Sequence, residues 1–289
     1  MLLLGAPGVG KTTYISALSE FLTNLDRNHC IVNLDPANEN ASYEAGVDVQ
    51  ELIRLEDAMR ELQLGPNGAM VYCMEFLERN VEWLEGKLLA SEATYFIFDL
   101  PGQVELYTNH PSLRNLLKRL SATSHTAALH LVDASYLYDK HRFLSAMMLS
   151  LSAMISLEMP FLNAISKIDL IAKLGRPDCS LSFYQNCAGL NMMFFAPEEG
   201  AGPFAKKYNQ MSKELCKLLE NMNLVGFSLL DLEDKFAMAY LLGQIDKANG
   251  YFYAPERIRN KKELEIDYDN LNEYFQSEGV MDIEERYLN

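Results

Sequence analysis

The segment from Gly5 to Thr12 constrains the fold of this chain more than any other. It reads Gly-Ala-Pro-Gly-Val-Gly-Lys-Thr and lies between a short apolar run, Met1–Leu4, and a helix-forming stretch, Thr12–Leu25. A strand, a Gly-x-x-x-x-Gly-Lys-Thr loop and a helix in this order are typical of a P-loop. The glycines let successive backbone N–H groups face a phosphate, and the helix adds the positive end of its dipole. The sequence therefore predicts a site for nucleotide phosphates.

Two side chains of this loop have separate predicted roles. Lys11 supplies a positive charge to the β- and γ-phosphate oxygens, and the hydroxyl of Thr12 is a ligand for Mg²⁺. A glycine-rich turn without a ligand is disfavoured, because the lysine, the threonine and both flanking elements are all present. The predicted phosphate-binding residues are Gly5, Pro7, Gly8, Val9, Gly10, Lys11, Thr12 and Thr13.

Short apolar runs alternate with amphipathic stretches along most of the chain. Nearly continuous apolar runs favour parallel strands that are covered on both faces. We expect an α/β fold with a doubly wound, mostly parallel sheet of the P-loop NTPase type and helical insertions. The predicted strands are Met1–Leu4, Cys30–Leu34, Tyr95–Asp99, Thr126–Val132, Phe161–Ser166 and Val225–Leu230. The predicted helices are Thr12–Leu25, Val47–Gln63, Val71–Leu89, Pro111–Leu120, Lys140–Ser156, Pro203–Met222 and Leu232–Ala248.

The same alternation predicts the organisation of the chain into a P-loop domain and a tail. The domain spans residues 1–250, with insertions at about 47–90 and, in a loop-rich stretch, about 174–202. An acidic tail follows at 251–289, and from residue 260 onward either a helix or partial disorder fits its composition. A central strand usually has about 5–6 residues, so we expect a natural precursor to carry a few residues ahead of Met1.

The charge and the cysteines restrict the partners and the compartment. The net charge of −15 repels nucleic acid and anionic membranes. No apolar run approaches the roughly 20 residues that a bilayer span needs. We therefore expect no direct contact with nucleic acid and none with a membrane. The five cysteines form no CxxC pair, which favours reduced thiols in an intracellular, cytoplasmic protein.

Two aspartates follow predicted strands and are candidate metal ligands. Asp35 ends the second strand in Asn-Leu-Asp-Pro-Ala, and Asp99 ends the third in Asp-Leu-Pro-Gly-Gln-Val-Glu. Carboxylates at the open edge of such a sheet can hold Mg²⁺ directly or through water. The alternative is that they are helix caps or turn residues. We predict Thr12, Asp35 and Asp99 as the magnesium ligands.

The residues after Asp99 suggest how an attacking water is oriented. Gly102 lets its backbone approach the γ-phosphate. Gln103 can orient the water, and a carboxylate such as Glu105 or Asp35 can accept a hydrogen bond from it. The residue that polarises the water stays open among these three.

Ser166-Lys167-Ile168-Asp169 follows the fifth predicted strand and is a candidate base reader. The carboxylate of Asp169 can accept hydrogen bonds from guanine N1–H and the exocyclic amino group, whereas adenine has no such pair of donors. The stem of Lys167 can lie along the base. The familiar guanine signature has asparagine where this chain has Ser166. After the sixth strand, the backbone N–H of Leu229 is placed to meet guanine O6.

A further motif, Leu64-Gly65-Pro66-Asn67-Gly68, lies between the second and third predicted strands. Together with the P-loop, Asp-Pro-Ala, Asp-x-Pro-Gly-Gln-Val-Glu and Ser-Lys-x-Asp, it makes essentially the whole chain resemble the GPN-loop GTPases. The resemblance implies a GTPase that acts as a nucleotide-linked dimer, with Gly65, Pro66 and Asn67 reaching the partner's phosphates. Asn67 would then be a catalytic contact made in trans. The residues matching the family's nucleotide site are Lys11, Thr12, Asp35, Asp99, Gln103, Glu105, Lys167 and Asp169.

The resemblance also implies a cellular role. It predicts a GTP-dependent switch in the assembly and nuclear import of RNA polymerase II, and of other RNA polymerases by extension. The implied partners are GTP and GDP, RNA polymerase subunits or assembly factors, and a second chain in a homodimer or a heterodimer with a paralogue. A cytoplasmic protein that shuttles to the nucleus fits this role.

Three other functions compete with this interpretation. An ATPase of the same deviant P-loop class often carries a second lysine early in the loop, where this chain has Ala6 and Pro7. A kinase usually needs an arginine-rich lid, and the arginines here are few and scattered. A non-enzymatic adaptor that binds nucleotide only to fold is disfavoured by the intact Gln103 and Asp35.

Overall fold

A parallel sheet forms the centre of the molecule. The computed structural model describes residues 1–38, 41–194, 202–255, 259, 262 and 266–288, and within them seven strands form one sheet in the order β3-β2-β4-β1-β5-β6-β7. Every neighbouring pair is parallel. The strands are β1 (Leu2–Gly5), β2 (His29–Asn33), β3 (Val47–Asp48), β4 (Tyr95–Asp99), β5 (Ala128–Asp133), β6 (Phe161–Ser166) and β7 (Ser228–Leu229).

The first strand lies in the middle of this sheet. Leu2, Leu3 and Leu4 are completely buried, with β4 on one side of β1 and β5 on the other. The chain order reverses at this position, and ligands of doubly wound sheets bind at such a point, beyond the carboxyl ends of the strands. The predicted doubly wound fold of the P-loop type is therefore confirmed.

Helices cover both faces of the sheet. One face packs on α1 and α11, and the other packs mainly on α3, α4 and α6. None of the described helices is long and apolar enough to cross a membrane. The helices are α1 (Lys11–Asn24), α2 (Leu55–Leu62), α3 (Pro66–Arg79), α4 (Val81–Ala90), α5 (Val104–Thr108), α6 (Pro111–Thr123), α7 (Lys140–Leu157), α8 (Ile171–Leu174), α9 (Leu181–Asn186), α10 (Pro203–Met222), α11 (Lys235–Ala248), α12 (Tyr268–Ser277) and α13 (Gly279–Leu288).

The insertion near residue 50 departs from the prediction. The helix predicted over Val47–Gln63 is instead β3, a 3₁₀ turn at Val49–Glu51 and the separate helix α2. Asp48 causes the break, since its Oδ1 accepts hydrogen bonds from Gln50 N at 2.9 Å and from Asn33 Nδ2 at 3.1 Å. The side chain thereby ties the start of the turn to β2.

Three further boundaries differ from the prediction. The helix predicted over Val71–Leu89 is divided into α3 and α4 at Asn80, whose Nδ2 donates to Phe76 O at 2.8 Å. Helix α3 begins earlier than predicted, at Pro66, because proline is well suited to the first turn of a helix. The strand predicted over Val225–Leu230 is reduced to the two residues of β7.

The C-terminal segment packs on the domain. Residues 266–288 form α12 and α13, and Phe275, Val280 and Ile283 are buried in the same apolar cluster as Leu229 of β7. Of the two states left open by the sequence, the described part of the tail is therefore helical. Residues 195–201, in the predicted loop-rich insertion, lie outside the described residues, as do most of residues 256–265. The boundary placed at residue 250 stays a prediction.

Candidate nucleotide-binding site

The P-loop connects β1 to α1 and depends on glycine at three positions. Gly5, Gly8 and Gly10 have φ angles of +146°, +80° and +94°, which disfavour other residues. A Cβ atom on Gly5 would also lie 2.8 Å from Val9 Cγ2 and 2.9 Å from the carbonyl oxygen of Leu131. Gly10 is the N-cap of α1 and provides no side-chain hydrogen bond. The N–H groups of the first helical turn therefore stay available to an anion.

Lys11 lies across its own loop. Its Nζ donates to the carbonyl oxygen of Gly5 at 3.0 Å and is 3.5 Å from that of Ala6. Burial lowers the pKa of Lys11, while the carboxylates of Asp99 and Asp35 raise it. A phosphate in the loop would give this ammonium group a charged acceptor in place of carbonyl oxygens.

Asp99, at the end of β4, has one satisfied and one unsatisfied oxygen. Its Oδ2 accepts hydrogen bonds from the hydroxyl of Tyr43 at 2.5 Å and from Asn38 Nδ2 at 3.3 Å. Its Oδ1 is buried and has no hydrogen-bond partner among the described residues. Burial raises the pKa of Asp99 to about 6, against the lowering effects of Tyr43 and Lys11. A buried oxygen without a partner is a position that a cation or its bound water would satisfy.

The other predicted magnesium ligands lie at the same edge of the sheet. Asp35 follows β2, the neighbour of β4, and its Oδ1 accepts a hydrogen bond from Ala37 N at 2.9 Å. Burial raises the pKa of Asp35, while Ala37 and Lys11 lower it. Thr12 is the second residue of α1. The described residues contain no group of three or more His, Cys, Asp or Glu side chains that could hold a metal. Two carboxylates and one hydroxyl fit Mg²⁺, which keeps several waters and binds phosphate oxygens.

The segment after β4 approaches the P-loop closely. A Cβ atom on Gly102 would lie 3.0 Å from Lys11 Nζ and 3.2 Å from the backbone nitrogen of Pro7. Gln103 is half-buried, whereas Glu105, in the first turn of α5, is exposed. The structure therefore places the backbone of Gly102 beside the loop.

The Gly65-Pro66-Asn67 segment forms the start of α3, with Gly65 as the N-cap and Pro66 as the first helical residue. All three residues are exposed. Gln103 Nε2 lies 3.5 Å from Asn67 Oδ1 of the same chain. This segment and the residue predicted to orient water are thus neighbours, and the action of Asn67 in trans stays a prediction.

Ser166 connects the predicted base reader to the P-loop. Its hydroxyl is buried and donates to the carbonyl oxygen of Val9 at 2.8 Å. The carbonyl oxygen of Val132, a second acceptor, lies 3.2 Å from the same hydroxyl. The observed role of this serine is therefore to hold the end of β6 against the phosphate loop. A direct contact between Ser166 and a base stays a prediction.

We expect Ser166→Ala to lower the affinity for GDP about tenfold, because the loop loses a buried hydrogen bond worth roughly 1–2 kcal/mol. Isothermal titration with GDP and Mg²⁺ measures the effect. Ser150→Ala is the matched control, since Ser150 is equally buried but bonds to His130 Nδ1 at 3.0 Å. Ser150→Ala should lower the free energy of unfolding and leave the affinity for GDP unchanged. Equal GDP affinities for Ser166→Ala and the wild type would contradict the role given to Ser166.

Lys167 and Asp133 form an ion pair beside the loop. Lys167 Nζ lies 2.8 Å from Asp133 Oδ2, at the end of β5, and its Cε lies 3.8 Å from the position of a Cβ atom on Gly10. Burial would raise the pKa of Asp133, but hydrogen bonds from Lys167 and Ser135 outweigh it and lower the pKa below its ordinary value. The lysine stem therefore lies next to Gly10 of the P-loop, and its place along a base stays a prediction.

The two remaining base-binding candidates lie on neighbouring strands. The carboxylate of Asp169, in a 3₁₀ turn after β6, is exposed and accepts no hydrogen bond from the described residues. Leu229 lies in β7, which pairs with β6, and the next residue, Leu230, donates its N–H to Ile165 O at 2.9 Å. The ends of these two neighbouring strands thus lie at one edge of the sheet, where Ser166 ties the end of β6 to the P-loop.

Three polar residues of the site are absent from the sequence-based prediction. Asn38 and Tyr43 contact Asp99 from the irregular segment between β2 and β3, where no motif marks them. Asp133 follows a predicted strand, so the rule that selected Asp35 and Asp99 would have identified it.

Known proteins resemble this chain over most of its length. A family model described as "Conserved hypothetical ATP binding protein" matches residues 3–251. The chain is 41% identical over 286 residues to GPN-loop GTPase 2 of Danio rerio, covering 99% of this chain and 91% of that protein. It is 44% identical over 254 residues to a GPN-loop GTPase of Arabidopsis thaliana, covering 87% of this chain and 85% of that protein. It belongs to the GPN-loop GTPase family.

Membership of the GPN-loop GTPase family confirms the prediction that the chain is a GTP-binding GTPase. GPN-loop GTPase 2 of Saccharomyces cerevisiae is 35% identical over 263 residues, covering 89% of this chain and 76% of that protein. A solved structure, the apo form of a GTPase from Pyrococcus abyssi, has a TM-score of 0.70 at 22% identity and covers 86% of this chain and 96% of that one. This likeness supports the fold alone.

Proposed function

We propose that this GPN-loop GTPase hydrolyses GTP with magnesium as cofactor, works as a dimer, and acts as a switch in RNA polymerase II assembly and nuclear import. One observation carries the catalytic part of the proposal. At the carboxyl ends of adjacent strands, the partnerless Oδ1 of Asp99 is electrostatically coupled to Lys11 and Asp35. Charges of both signs are thereby arranged where the phosphates and cation of a nucleotide would lie.

In this proposal, Thr12, Asp35 and Asp99 hold Mg²⁺ directly or through its water molecules. When bound, the ion would supply positive charge to the β- and γ-phosphate oxygens, which carry the charge that develops when the bond from the γ-phosphorus to the bridging oxygen breaks. The chain's own contribution comes from the P-loop N–H groups and from Lys11, which exchanges the carbonyl oxygen of Gly5 for phosphate oxygens. Asp169 accepts hydrogen bonds from the two N–H groups of guanine, and the backbone N–H of Leu229, on the neighbouring strand, donates to O6. The ends of β6 and β7 thereby form one side of a guanine pocket.

The attacking water is oriented by the segment after β4. Gly102 directs its N–H toward the γ-phosphate, and Gln103 holds the water through its carboxamide. The burial of Asp35 and the exposure of Glu105 favour Asp35 as the nearer carboxylate. Phosphate is released, and GDP stays bound through the base and the β-phosphate.

The exposed start of α3 supports a dimer. Leu62 and Leu64, next to the Gly65-Pro66-Asn67 segment, have 43% and 37% of their surfaces exposed. Apolar side chains beside an exposed, rigid polar loop suit a surface that another chain covers. Asn67 would donate to phosphate oxygens of the partner without adding charge. A homodimer and a heterodimer with a paralogue both agree with this surface.

Mixing two inactive variants tests both hydrolysis and the action of Asn67 in trans. We expect Asn67→Ala to lower Mg²⁺-dependent phosphate release from GTP at least about tenfold. Lys11→Ala loses its own site but keeps Asn67. In a mixed dimer, the intact P-loop of one chain meets the intact Asn67 of the other. The mixture should therefore release phosphate faster than the sum of the rates of the two variants measured separately.

The mixing experiment needs a control and has a clear contrary result. The control is Lys87→Ala, which removes an exposed ion pair with Glu51 in the same insertion and should by itself stay as active as the wild type. Sedimentation with a GTP analogue reports whether the mixed dimer forms. Mixed dimers without recovered activity would show that Asn67 acts within its own chain, beside Gln103. No phosphate release by the wild type would overturn the proposed catalysis.

The cellular part of the proposal is supported by the family resemblance of the whole chain. The proposed location is the cytoplasm, with shuttling to the nucleus, and the proposed partners are RNA polymerase subunits or assembly factors. The test compares cells carrying the wild type or Lys11→Ala for nuclear and cytoplasmic RNA polymerase II. Cytoplasmic accumulation of the polymerase with the variant is expected, and an unchanged distribution would refute this part.

A further inference from the structure

The last helix contacts the elements that follow both predicted base-binding strands. Val280 and Ile283 of α13 are buried in one apolar cluster with Ile168 and Ile171, which flank Asp169, and with Leu229. Glu284 Oε1 also accepts a hydrogen bond from the backbone N–H of Leu181, at the start of α9. Helix α13 thus packs behind the side of the pocket formed by the ends of β6 and β7.

The buried carboxylate that follows β7 is hydrogen-bonded to α13. Asp231 comes two residues after Leu229 and is 4% exposed. Its Oδ2 accepts hydrogen bonds from Arg286 Nη1 at 3.0 Å and from the hydroxyl of Tyr287 at 2.9 Å. Its Oδ1 accepts one from the backbone N–H of Glu233 at 3.0 Å. Both oxygens are satisfied, and the two partners of one of them come from the end of the chain.

Arg286 also reaches the start of α11. Its Nη2 lies 3.0 Å from Asp234 Oδ2, while Asp234 Oδ1 caps α11 by accepting from Phe236 N at 2.8 Å. The planar guanidinium group therefore bridges two carboxylates three residues apart, a geometry that fixes both in place. The connection between β7 and α11 is therefore held from outside by Arg286 together with the hydroxyl of Tyr287.

We propose that Arg286 and Tyr287 are positioning residues of the guanine pocket: they hold residues 228–234 in the conformation in which the backbone of Leu229 meets the base. This inference rests on the proposed function, in which Asp169 and Leu229 bind guanine. A charge-assisted hydrogen bond to a buried carboxylate is costly to remove, because the carboxylate is left without its partner. Without both donors, Asp231 turns toward water and carries the end of β7 with it.

The effect is confined to the base end of the site. Lys11 and the P-loop glycines lie on β1 and α1, and the described part of α13 has no hydrogen bond or ion pair to them. We therefore expect the double variant Arg286→Ala/Tyr287→Phe to bind GDP about tenfold more weakly, which corresponds to roughly 1.4 kcal/mol. Pyrophosphate, which has no base, should bind with Mg²⁺ as it does to the wild type.

The measurement is isothermal titration of the full chain with GDP, ADP and pyrophosphate, each with Mg²⁺, alongside a thermal melt. Arg286→Lys should recover part of the GDP affinity, since a lysine can reach one carboxylate but cannot bridge two. Arg142→Ala is the matched control. It removes an exposed arginine that pairs with Asp139, the residue that caps α7, and should leave all three affinities unchanged.

Two results would overturn the inference. One is an unchanged GDP affinity in the double variant. The other is an equal loss of GDP and pyrophosphate binding, which would mean that the variant damages the whole site. Failure of the proposed function gives a different pattern: a wild type that binds ADP at least as well as GDP has no guanine pocket, whatever the tail variants do.

Discussion

Asp169→Asn is expected to weaken GTP binding at least about 100-fold and to create binding of xanthosine triphosphate. The exposed carboxylate of Asp169 has no hydrogen-bond partner among the described residues, so it is available to accept the N1–H and exocyclic amino group of guanine. Asparagine can accept only one of these and presents its own NH₂ to the other. Xanthine has a carbonyl oxygen where guanine has the amino group, and it therefore suits asparagine.

Competitive displacement of labelled GDP by GTP, ATP and xanthosine triphosphate measures this exchange of specificity. Asp178→Asn, an exposed aspartate in the segment after α8, serves as the control and should leave the order of affinities unchanged. The same titration compares the affinity for GTP directly with that for ATP. ATP binding that equals GTP binding, unaffected by Asp169→Asn, would show that this residue does not select the base.

The second large effect is expected at Gly102. In Gly102→Ala, the new methyl group would lie 3.0 Å from Lys11 Nζ and 3.2 Å from Pro7 N, so the segment has to move away from the P-loop. Its N–H then no longer reaches the γ-phosphate. Removal of one such donor typically costs about 10²–10³ in turnover, and we expect a loss of GTP hydrolysis of about 100-fold. GDP, which lacks the γ-phosphate, should still bind within a few-fold of the wild type.

Single-turnover hydrolysis and GDP titration separate these two effects. Gly86→Ala is the matched control, because Gly86 lies inside α4 with open space around its Cβ position. That variant should keep full activity and gain up to about 1 kcal/mol of stability from the better helix propensity of alanine. Full hydrolysis by Gly102→Ala would mean that the segment after β4 lies elsewhere during the reaction.

The parts of the site that a sequence can predict are those fixed by short-range spacing. The P-loop, Asp35 and Asp99 each follow a strand with a strong apolar signal, and parallel strands bring their carboxyl ends to one edge. The contacts of Tyr43 and Asn38 with Asp99 could not be predicted. They depend on the path of an irregular segment between β2 and β3, for which neither periodicity nor a motif gives information.

The errors in the fold have a similar origin. Strand β3 has two residues, too few for an alternating pattern, and the apolar spacing after Val47 resembles that of a helix. The sequence of the tail does not distinguish a helix from partial disorder, because its many charged residues obscure the pattern of the buried positions Phe275, Val280 and Ile283. Ser166 occupies the position at which the familiar guanine signature has asparagine. Only the structure shows that its hydroxyl donates a hydrogen bond to Val9 O of the phosphate loop.

The central position of β1 has a consequence for how this protein folds. Leu2 pairs with Phe98 on one side and with Ala128 on the other, so both partners of the first strand lie far along the chain. Contacts between such distant residues must first overcome the entropy of closing a long loop, which slows folding. The apolar Leu2–Leu4 run stays uncovered during that time. An apolar run that stays uncovered is prone to aggregation, and a chaperone that binds it would raise the yield of native protein.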